Sequence, residues 1–516
     1  MSALKVLRSL AIGLMVCALS MPALAAPASP VTVQLRVDAT AHGTPFPHFW
    51  EQMFGSGRAS LSLRDDYRKD LETVHRATGF EYVRFHGILD HDVGLVERGK
   101  DGKIHYNFSY VDQIYDGLLA RGVKPYVELS FMPNALSSDP SRHQSFWYHP
   151  NPMPPKNYAE WDAMIRAFAR HLVKRYGIDE VATWYFEVWN EPNLDFWGGD
   201  PKQATYFKLY DHTARDLKSV SPRLRVGGPA TAQAAWVTAF LDHVHKADVP
   251  IDFVSTHVYG DDTAENVFHT HENISRKNMV CRAVAKVHDE ILASPYPKLP
   301  LIFSEYNASY ANLPNVTDTV FMGSWLANTI RECAGKVATL SYWTFSDVFE
   351  EQGITRTPFY GGFGIIAEDG IDKPAFNAFA MLHRLGDTRL PLDSDSALAT
   401  RRADGTLVLA LWNYAPPVGD GTTWTPGSPK GAVEHFELDV SHLGSNATAT
   451  VWRLDEQHGN AVALFNKMGR PPFPTRAQID ALRKAGMEPP PQKLAVHDGR
   501  LALDIPPQGL VVVALH

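Results

Sequence analysis

The sequence predicts an α/β fold: a (β/α)8 TIM barrel followed by a C-terminal β-sandwich domain. Three observations carry this. Between about residues 46 and 385, eight short apolar runs alternate with amphipathic helical stretches, the pattern of parallel strands joined by crossover helices. No glycine-rich phosphate loop follows the first run, which counts against the runner-up, an open doubly wound sheet. Beyond about residue 385 the runs become strand-like with turn residues between them, the texture of a sandwich.

The elements follow in order. "VTVQLRVDA" at 31–39 reads as a strand preceding the barrel, and residues 31–45 are assigned to the C-terminal sheet it is expected to join. The barrel, 46–385, has strands ending at "HFWEQMF", "EYVRFHG", "VKPYVELSF", "TWYFEVWNEP", "RLRVGGP", "DFVSTHVYG", "LIFSEYN" and "LSYWTF". Of the stretches between them, "YAEWDAMIRAFARHLVKRYG" puts Trp161, Ile165, Phe168, Leu172 and Val173 on one helical face. The sandwich, 386–516, holds "LVLALWNY", "HFELDVS", "TATVWRLD", "KLAVHDGRLALDIP" and "GLVVVALH". "APPVGDGTTWTPGSPKG" reads as a surface loop, and "TRAQIDALRKAG" as a short helix on an excursion.

A net charge of −8, with no Lys/Arg run longer than two, leaves no basic footprint for nucleic acid. Residues 1–25 have a charged start at Lys5 and Arg8, an apolar run to Leu19 and an "ALA" ending at Ala25, the pattern of a secretory signal peptide. The run is too short to span a membrane, and Val16 before Cys17 does not suit a lipid anchor. An exported protein, periplasmic or secreted, without a membrane anchor is expected. Cys281 and Cys333 then remain. An oxidising compartment permits a disulfide, but two scattered cysteines are more often buried and free. No zinc-type spacing occurs, and no metal or cofactor is expected.

The mouth of such a barrel is built from the C-terminal ends of its strands. Those ends carry His86, Asn190 with Glu191, His257 with Tyr259, Glu305, and Trp343 followed by Asp347, Glu350 and Glu351. Apart from histidine, no basic residue stands at these ends. A pair of carboxylates at strands four and seven, with aromatic walls, points to glycoside hydrolysis, in which one acid protonates the leaving oxygen and the other attacks or activates water. Glu187, four residues before Glu191, shares its strand parity but lies deeper, and reads as a paired structural carboxylate.

"WYFEVWNEPNLDFW", "LIFSEYNAS", "HFWEQMFGSGRASLSLRDDY", "EYVRFHGIL", "YWTFSDVFEE" and "GGFGII" resemble glycoside hydrolase family 39, the family of β-xylosidases and α-L-iduronidases. So does "EQHGNAVALFNKMGRPPFPTRAQIDALRKAG", and the resemblance spans essentially the whole mature chain. It implies a retaining mechanism with Glu191 as general acid/base and Glu305 as nucleophile. It also implies substrate-binding roles for His86, Asn190, His257, Tyr259, Glu350 and Glu351, with Phe196 and Trp343 as aromatic walls. "YWTFSDVFEE" is closer to the bacterial β-xylosidases, whose substrate is a xylo-oligosaccharide or related glycan. An iduronidase holds a carboxylate with Lys or Arg, and only Arg356 offers itself. The alternatives are a family glycosidase acting on L-arabinosyl or uronic-acid residues, and a non-catalytic carbohydrate-binding protein. Oligomeric state is not legible. Five N-x-S/T sequons occur, at Asn107, Asn273, Asn307, Asn315 and Asn446; a glycan at Asn307 would crowd the cleft, so they are expected to be unused.

Overall fold

The computed structural model describes residues 31–516 except 420, 422, 445 and 446. The signal segment, Cys17 and the Asn446 sequon lie outside the described residues.

Eight parallel strands close on themselves in sequence order: β1 (Met53–Gly55), β2 (Tyr82–Phe85), β3 (Lys124–Leu129), β4 (Tyr185–Val188), β5 (Arg225–Thr231), β6 (Phe253–Tyr259), β7 (Leu301–Asn307) and β8 (Thr339–Tyr342). Each strand leads to an outer helix: α1 (Asp65–Thr78), α2 (Ser109–Leu119), α3 (Tyr158–Tyr176), α4 (Lys202–Val220), α5 (Val237–Lys246), α6 (Arg276–Leu292), α7 (Phe321–Cys333) and α8 (Pro374–Leu382). This is the (β/α)8 barrel that the alternation predicts. In α3 the predicted face is the buried one: Trp161, Ile165, Phe168 and Leu172 are fully enclosed, each burial stabilising by roughly 1.5–3 kcal/mol. Asn157 starts that helix by accepting the Ala159 N–H, and Gly177 ends it.

Side chains two residues apart on a strand point the same way, and the barrel interior is layered accordingly. At the N-terminal end Met53, Tyr126, Phe253 and Ile302 form an apolar plug with Tyr82 and Tyr185. Two residues further along four of these strands come Arg84, Glu128, Glu187 and Ser304, all fully buried. Above this charged layer lies the mouth. Aromatic residues thus fill the narrow end, while ionic groups concentrate where hydrogen-bond partners meet.

The sandwich packs a three-stranded sheet on a seven-stranded one. The first holds the N-terminal strand Val31–Asp38, β11 (Glu434–Ser441) and β14 (Arg500–Ile505). The second runs Thr44–Pro45, Thr388–Arg389, β9 (Ala397–Arg401), β10 (Leu407–Trp412), β15 (Leu510–Leu515), β12 (Thr448–Leu454) and β13 (Gln492–Ala495). Leu35, Val37, Leu409, Phe436, Leu438 and Val513 lie between them as one buried cluster. The N-terminal strand is parallel to β11. The excursion between β12 and β13 carries two helices, Ala461–Lys467 and Arg476–Gly486. Their buried residues cluster with Phe359, Ala367 and Ile371, which brace the long segment after β8.

Cys281 and Cys333 are joined in a disulfide, Cα to Cα 5.0 Å. The sequence permits this pairing without fixing it, scattered cysteines being more often free, and the structure forms it. Successive helices of a barrel are neighbours, and the two residues face each other across α6 and α7.

Candidate active site

Arg84 organises the site from below. Its Nε donates to Glu187 Oε2 (2.6 Å), Nη1 to Glu305 Oε1 (2.6 Å) and Nη2 to Asn190 Oδ1 (2.8 Å), while Glu128 Oε2 forms an ion pair with Nη2 at 2.7 Å. Burial alone would lower its basicity, but the surrounding glutamates Glu128, Glu187 and Glu305 outweigh that and hold it charged. The reading that histidine is the sole basic type at the strand ends therefore fails here. Arg84 shares the parity of His86 on β2, and that spacing was the available signal. Glu187 is the buried structural carboxylate its depth suggests: it also accepts from Ser304 Oγ (2.6 Å) and Tyr126 Oη (3.2 Å).

Glu191 and Glu305 both stand where regular strand geometry breaks. β4 ends at Val188, and the chain then passes through positive φ at Trp189 (71°) and Glu191 (44°). Left-handed backbone at non-glycine residues stores strain of the kind that clusters at functional sites. On β7 the register with β8 shifts between Phe303 and Tyr306. Such bulges re-aim side chains, and here Ser304 and its neighbour Glu305 both reach inward. Glu305 accepts from Arg84 at Oε1 and from Tyr259 Oη at Oε2 (2.6 Å). Glu191 Oε1 meets His257 Nδ1 at 3.0 Å. A carboxylate oxygen of each glutamate lies within 4.8 Å of the other.

Burial, then the Arg84 and His86 charges, lower the affinity of His257 for a second proton, so its ring carries one N–H. Nε2 lies 3.1 Å from Ser304 Oγ and 3.4 Å from Arg84 Nη2. The Arg84 Nη2 N–H is aimed at Nε2, and the Ser304 hydroxyl donates to Glu187. The Glu191 carboxyl is pushed well above the usual range by burial and by the negative charge of Glu305. Burial raises Glu305 too, but Arg84, His86 and the Tyr259 hydroxyl pull it back. Of the two, Glu305 is the ionised one.

The cavity above these groups measures about 480 Å³ and is lined by His86, Asn190, Glu191, Phe196, Tyr259, Glu305, Trp343 and Glu351 among others. His257 lies beneath it, fully buried. His86 sits between Glu128 (2.7 Å) and Glu351 (3.3 Å). Burial opposes its charge, but these carboxylates prevail and push it up to about 10. Phe146, missed in the sequence, stacks on His86 with centroids 5.9 Å apart and tilts against Phe196. Gln233, Asp262 and Tyr310 also line the cavity from loops without a strand-end signature. Trp343 lies flat enough against β1 that a Cβ on Gly55 would collide with its ring.

Two expectations need correction. Glu350 does not line the cavity: it pairs with Arg58 Nη2 (3.1 Å) and Arg64 Nη1 (2.7 Å) and clamps the segment after β8 to the segment before α1. Adjacent residues of a loop need not face the same way, and only Glu351 reaches in. Arg356 is exposed and does not line the cavity. Asp347 is turned away into an ion pair with Lys373 (2.6 Å). Asn307 is fully buried and donates to the Trp343 carbonyl, and Asn315 is tied to the backbone of Thr425, so neither sequon side chain is accessible for a glycan.

A parallel barrel whose mouth encloses two glutamates within 4.8 Å of each other between aromatic walls has the architecture of a glycoside hydrolase. The model of glycosyl hydrolases family 39 matches residues 33–497, and the chain belongs to that family. It is 39% identical over 471 residues to a β-xylosidase of Geobacillus stearothermophilus, covering 89% of this chain and 90% of that one. A β-xylosidase of Caldicellulosiruptor saccharolyticus is 37% identical over 447 residues, 85% and 88% of the two chains. The crystal structure of a monomeric β-xylosidase from Caulobacter crescentus CB15 superposes with a TM-score of 0.85 at 35% identity, covering 94% of this chain and 99% of that one.

Proposed function

We propose that this glycoside hydrolase releases β-D-xylose from the non-reducing ends of xylo-oligosaccharides by double displacement. Glu191 protonates the glycosidic oxygen while Glu305 attacks the anomeric carbon. The resulting glycosyl ester no longer carries the negative charge that adds to burial in raising Glu191, so Glu191 becomes a base better suited to deprotonate the incoming water. The observation that carries this reading is the unequal hydrogen bonding of two glutamates within 4.8 Å. Retaining enzymes hold their carboxyl groups about 5–5.5 Å apart, whereas inverting ones need about 6.5–9.5 Å. Two relatives named β-xylosidase that cover most of the chain favour xylose. A uronic acid is disfavoured because the site's arginine, Arg84, has three of its five N–H groups engaged by protein oxygens, is aimed at His257 Nε2 with another and is ion-paired with Glu128.

A panel of nitrophenyl glycosides tests the sugar. Hydrolysis of the β-D-xyloside fastest supports the assignment, and faster cleavage of an α-L-arabinoside sinks it. Glu305→Ala should abolish turnover, with azide restoring some as the α-glycosyl azide. Glu191→Ala should spare substrates with good leaving groups, azide then giving the β-product. Swapped phenotypes would reverse the roles. Export belongs to the same proposal, and the Cys281–Cys333 disulfide supports an oxidising compartment. N-terminal sequencing of the mature protein checks it, a start after Ala25 being expected.

A further inference from the structure

The opposite end of the barrel holds a second cluster of ionisable groups that the chemistry above does not use. His48 and Glu51 lie on the turn leading into β1, and His383 caps the last barrel helix, α8. His48 Nδ1 is 2.5 Å from Glu51 Oε1, and His383 Nδ1 is 2.8 Å from the same oxygen. Two imidazoles and a carboxylate, one of the imidazoles 332 residues further along the chain than Glu51, thus converge on one point.

Hydrogen bonding alone leaves this cluster incomplete. The Glu51 side chain is only 4% exposed, yet its Oε2 is buried with no hydrogen-bond partner among the described residues, and so is His48 Nε2. Buried polar groups are ordinarily satisfied, and exceptions call for an explanation such as an ion. The His48 ring is held by stacking on Trp50, centroids 4.4 Å apart, with Nδ1 turned to Glu51. Its Nε2 lies 3.9 Å from Asp387 Oδ1, beyond hydrogen-bond distance, but the 81% exposed Asp387 side chain needs only a small movement to accept the N–H as carboxylates do from metal-bound histidines.

We propose that His48, Glu51 and His383 bind a divalent metal of the zinc class, with Asp387 orienting His48. The donor set is two nitrogens and one carboxylate oxygen, which suits Zn²⁺ with a fourth position left to water. The ion would neutralise the buried Glu51 charge. It would also fix both histidines with Nδ1 as ligand and Nε2 carrying the proton, so that His48 has a hydrogen to offer Asp387. In tetrahedral coordination the ligand atoms stand about 3.3 Å apart at bond lengths of about 2.0–2.1 Å. Opening the cluster that far needs both His48, 18% exposed, and His383, 46% exposed, to draw back from Glu51.

Its place in the fold gives such a site a purpose. Thr44–Pro45 pairs with Thr388–Arg389, and the Phe46 N–H donates to the Asp387 carbonyl at 2.7 Å. The chain passes from sandwich to barrel immediately before His48 and returns immediately after His383. A metal there staples the two crossings together and acts on stability, remote from the cavity at the other end.

The full-length enzyme, stripped with chelator and dialysed, is titrated with Zn²⁺ in a calorimeter and melted with and without the ion. One saturable site and a raised melting temperature are expected, with Co²⁺ giving the visible spectrum of a low-symmetry nitrogen/oxygen site. His383→Ala should weaken binding by on the order of 100-fold and Asp387→Asn by roughly tenfold, both retaining glycosidase activity. His383 is half-exposed, so its variant tests binding without endangering folding. Absence of saturable binding overturns the proposal. So does Zn²⁺ binding that persists undiminished in His383→Ala but disappears in Glu191→Gln, which would locate the ion at Glu191, His257 and Glu305, whose ligand atoms also converge.

Discussion

The two glutamates of the pocket owe their orientation to departures from strand regularity, Glu191 to left-handed backbone and Glu305 to a bulge. Beneath them, Ser304 Oγ lies 3.1 Å from His257 Nε2 and donates to Glu187. Ser304→Ala removes this shared partner of the histidine that meets Glu191. The alkaline limb of the kcat/KM profile, which follows loss of the Glu191 proton, should then shift. An unmoved limb with merely lowered stability would show that the serine is only a structural partner. Glu191, Glu305 and the need of Glu187 for a partner were legible in the sequence because carboxylates in an apolar strand demand explanation. Arg84 escaped because attention stopped at the strand end, although alternation aligns it with His86. Glu350 and Glu351 are chemically identical neighbours, and only the path of the loop separates an ionic clamp from a cavity-lining acid.

Among the elements, the barrel strands and helices were the most legible part, since eight repeats of one pattern reinforce each other. The facing of neighbouring helices was not. α6 and α7 present Cys281 and Cys333 to each other, a matter of helix rotation that amino-acid spacing does not fix. This bridge closes 52 residues, so chain entropy sets its contribution at about 4 kcal/mol. Cys281→Ser should lower stability towards that limit, read as a reduced urea midpoint; an unchanged midpoint would show that the helices hold without the bond. β1 gives a second expectation. Gly55→Ala would push the Trp343 ring off its seat and lower kcat/KM by on the order of 100-fold, the cost of about 1 Å of misplacement in a catalytic site. Wild-type kinetics would mean that the ring has room to yield.

At the scale of the whole molecule, buried ionisable groups govern the response to pH. Burial raises Asp70, Asp262 and Asp372 to about 7 and Glu368 to about 8. These acids hold protons in the folded chain that the unfolded chain releases near pH 4, so their stabilisation is present at low pH and lost as pH rises through the folded values. His86, at about 10 against an ordinary 6.5, has the same sign over a higher window. The melting temperature should therefore fall from about pH 5 to about pH 9, and a rise across that interval would contradict the burial of these groups. The division into a barrel and a sandwich was visible in the change of texture near residue 385. The parallel partnership of Val31–Asp38 with Glu434–Ser441 rests on long-range contacts that local pattern does not encode. Its consequence is temporal. The two strands are separated by some 400 residues of intervening chain, which a ribosome working at about 5–20 residues per second takes roughly 20–80 s to make. Throughout that interval the first strand waits with its edges unpaired while every barrel strand is being synthesised. The order of birth along the chain is thus the reverse of the order of completion: the earliest of the described strands to emerge is among the last to find its neighbour.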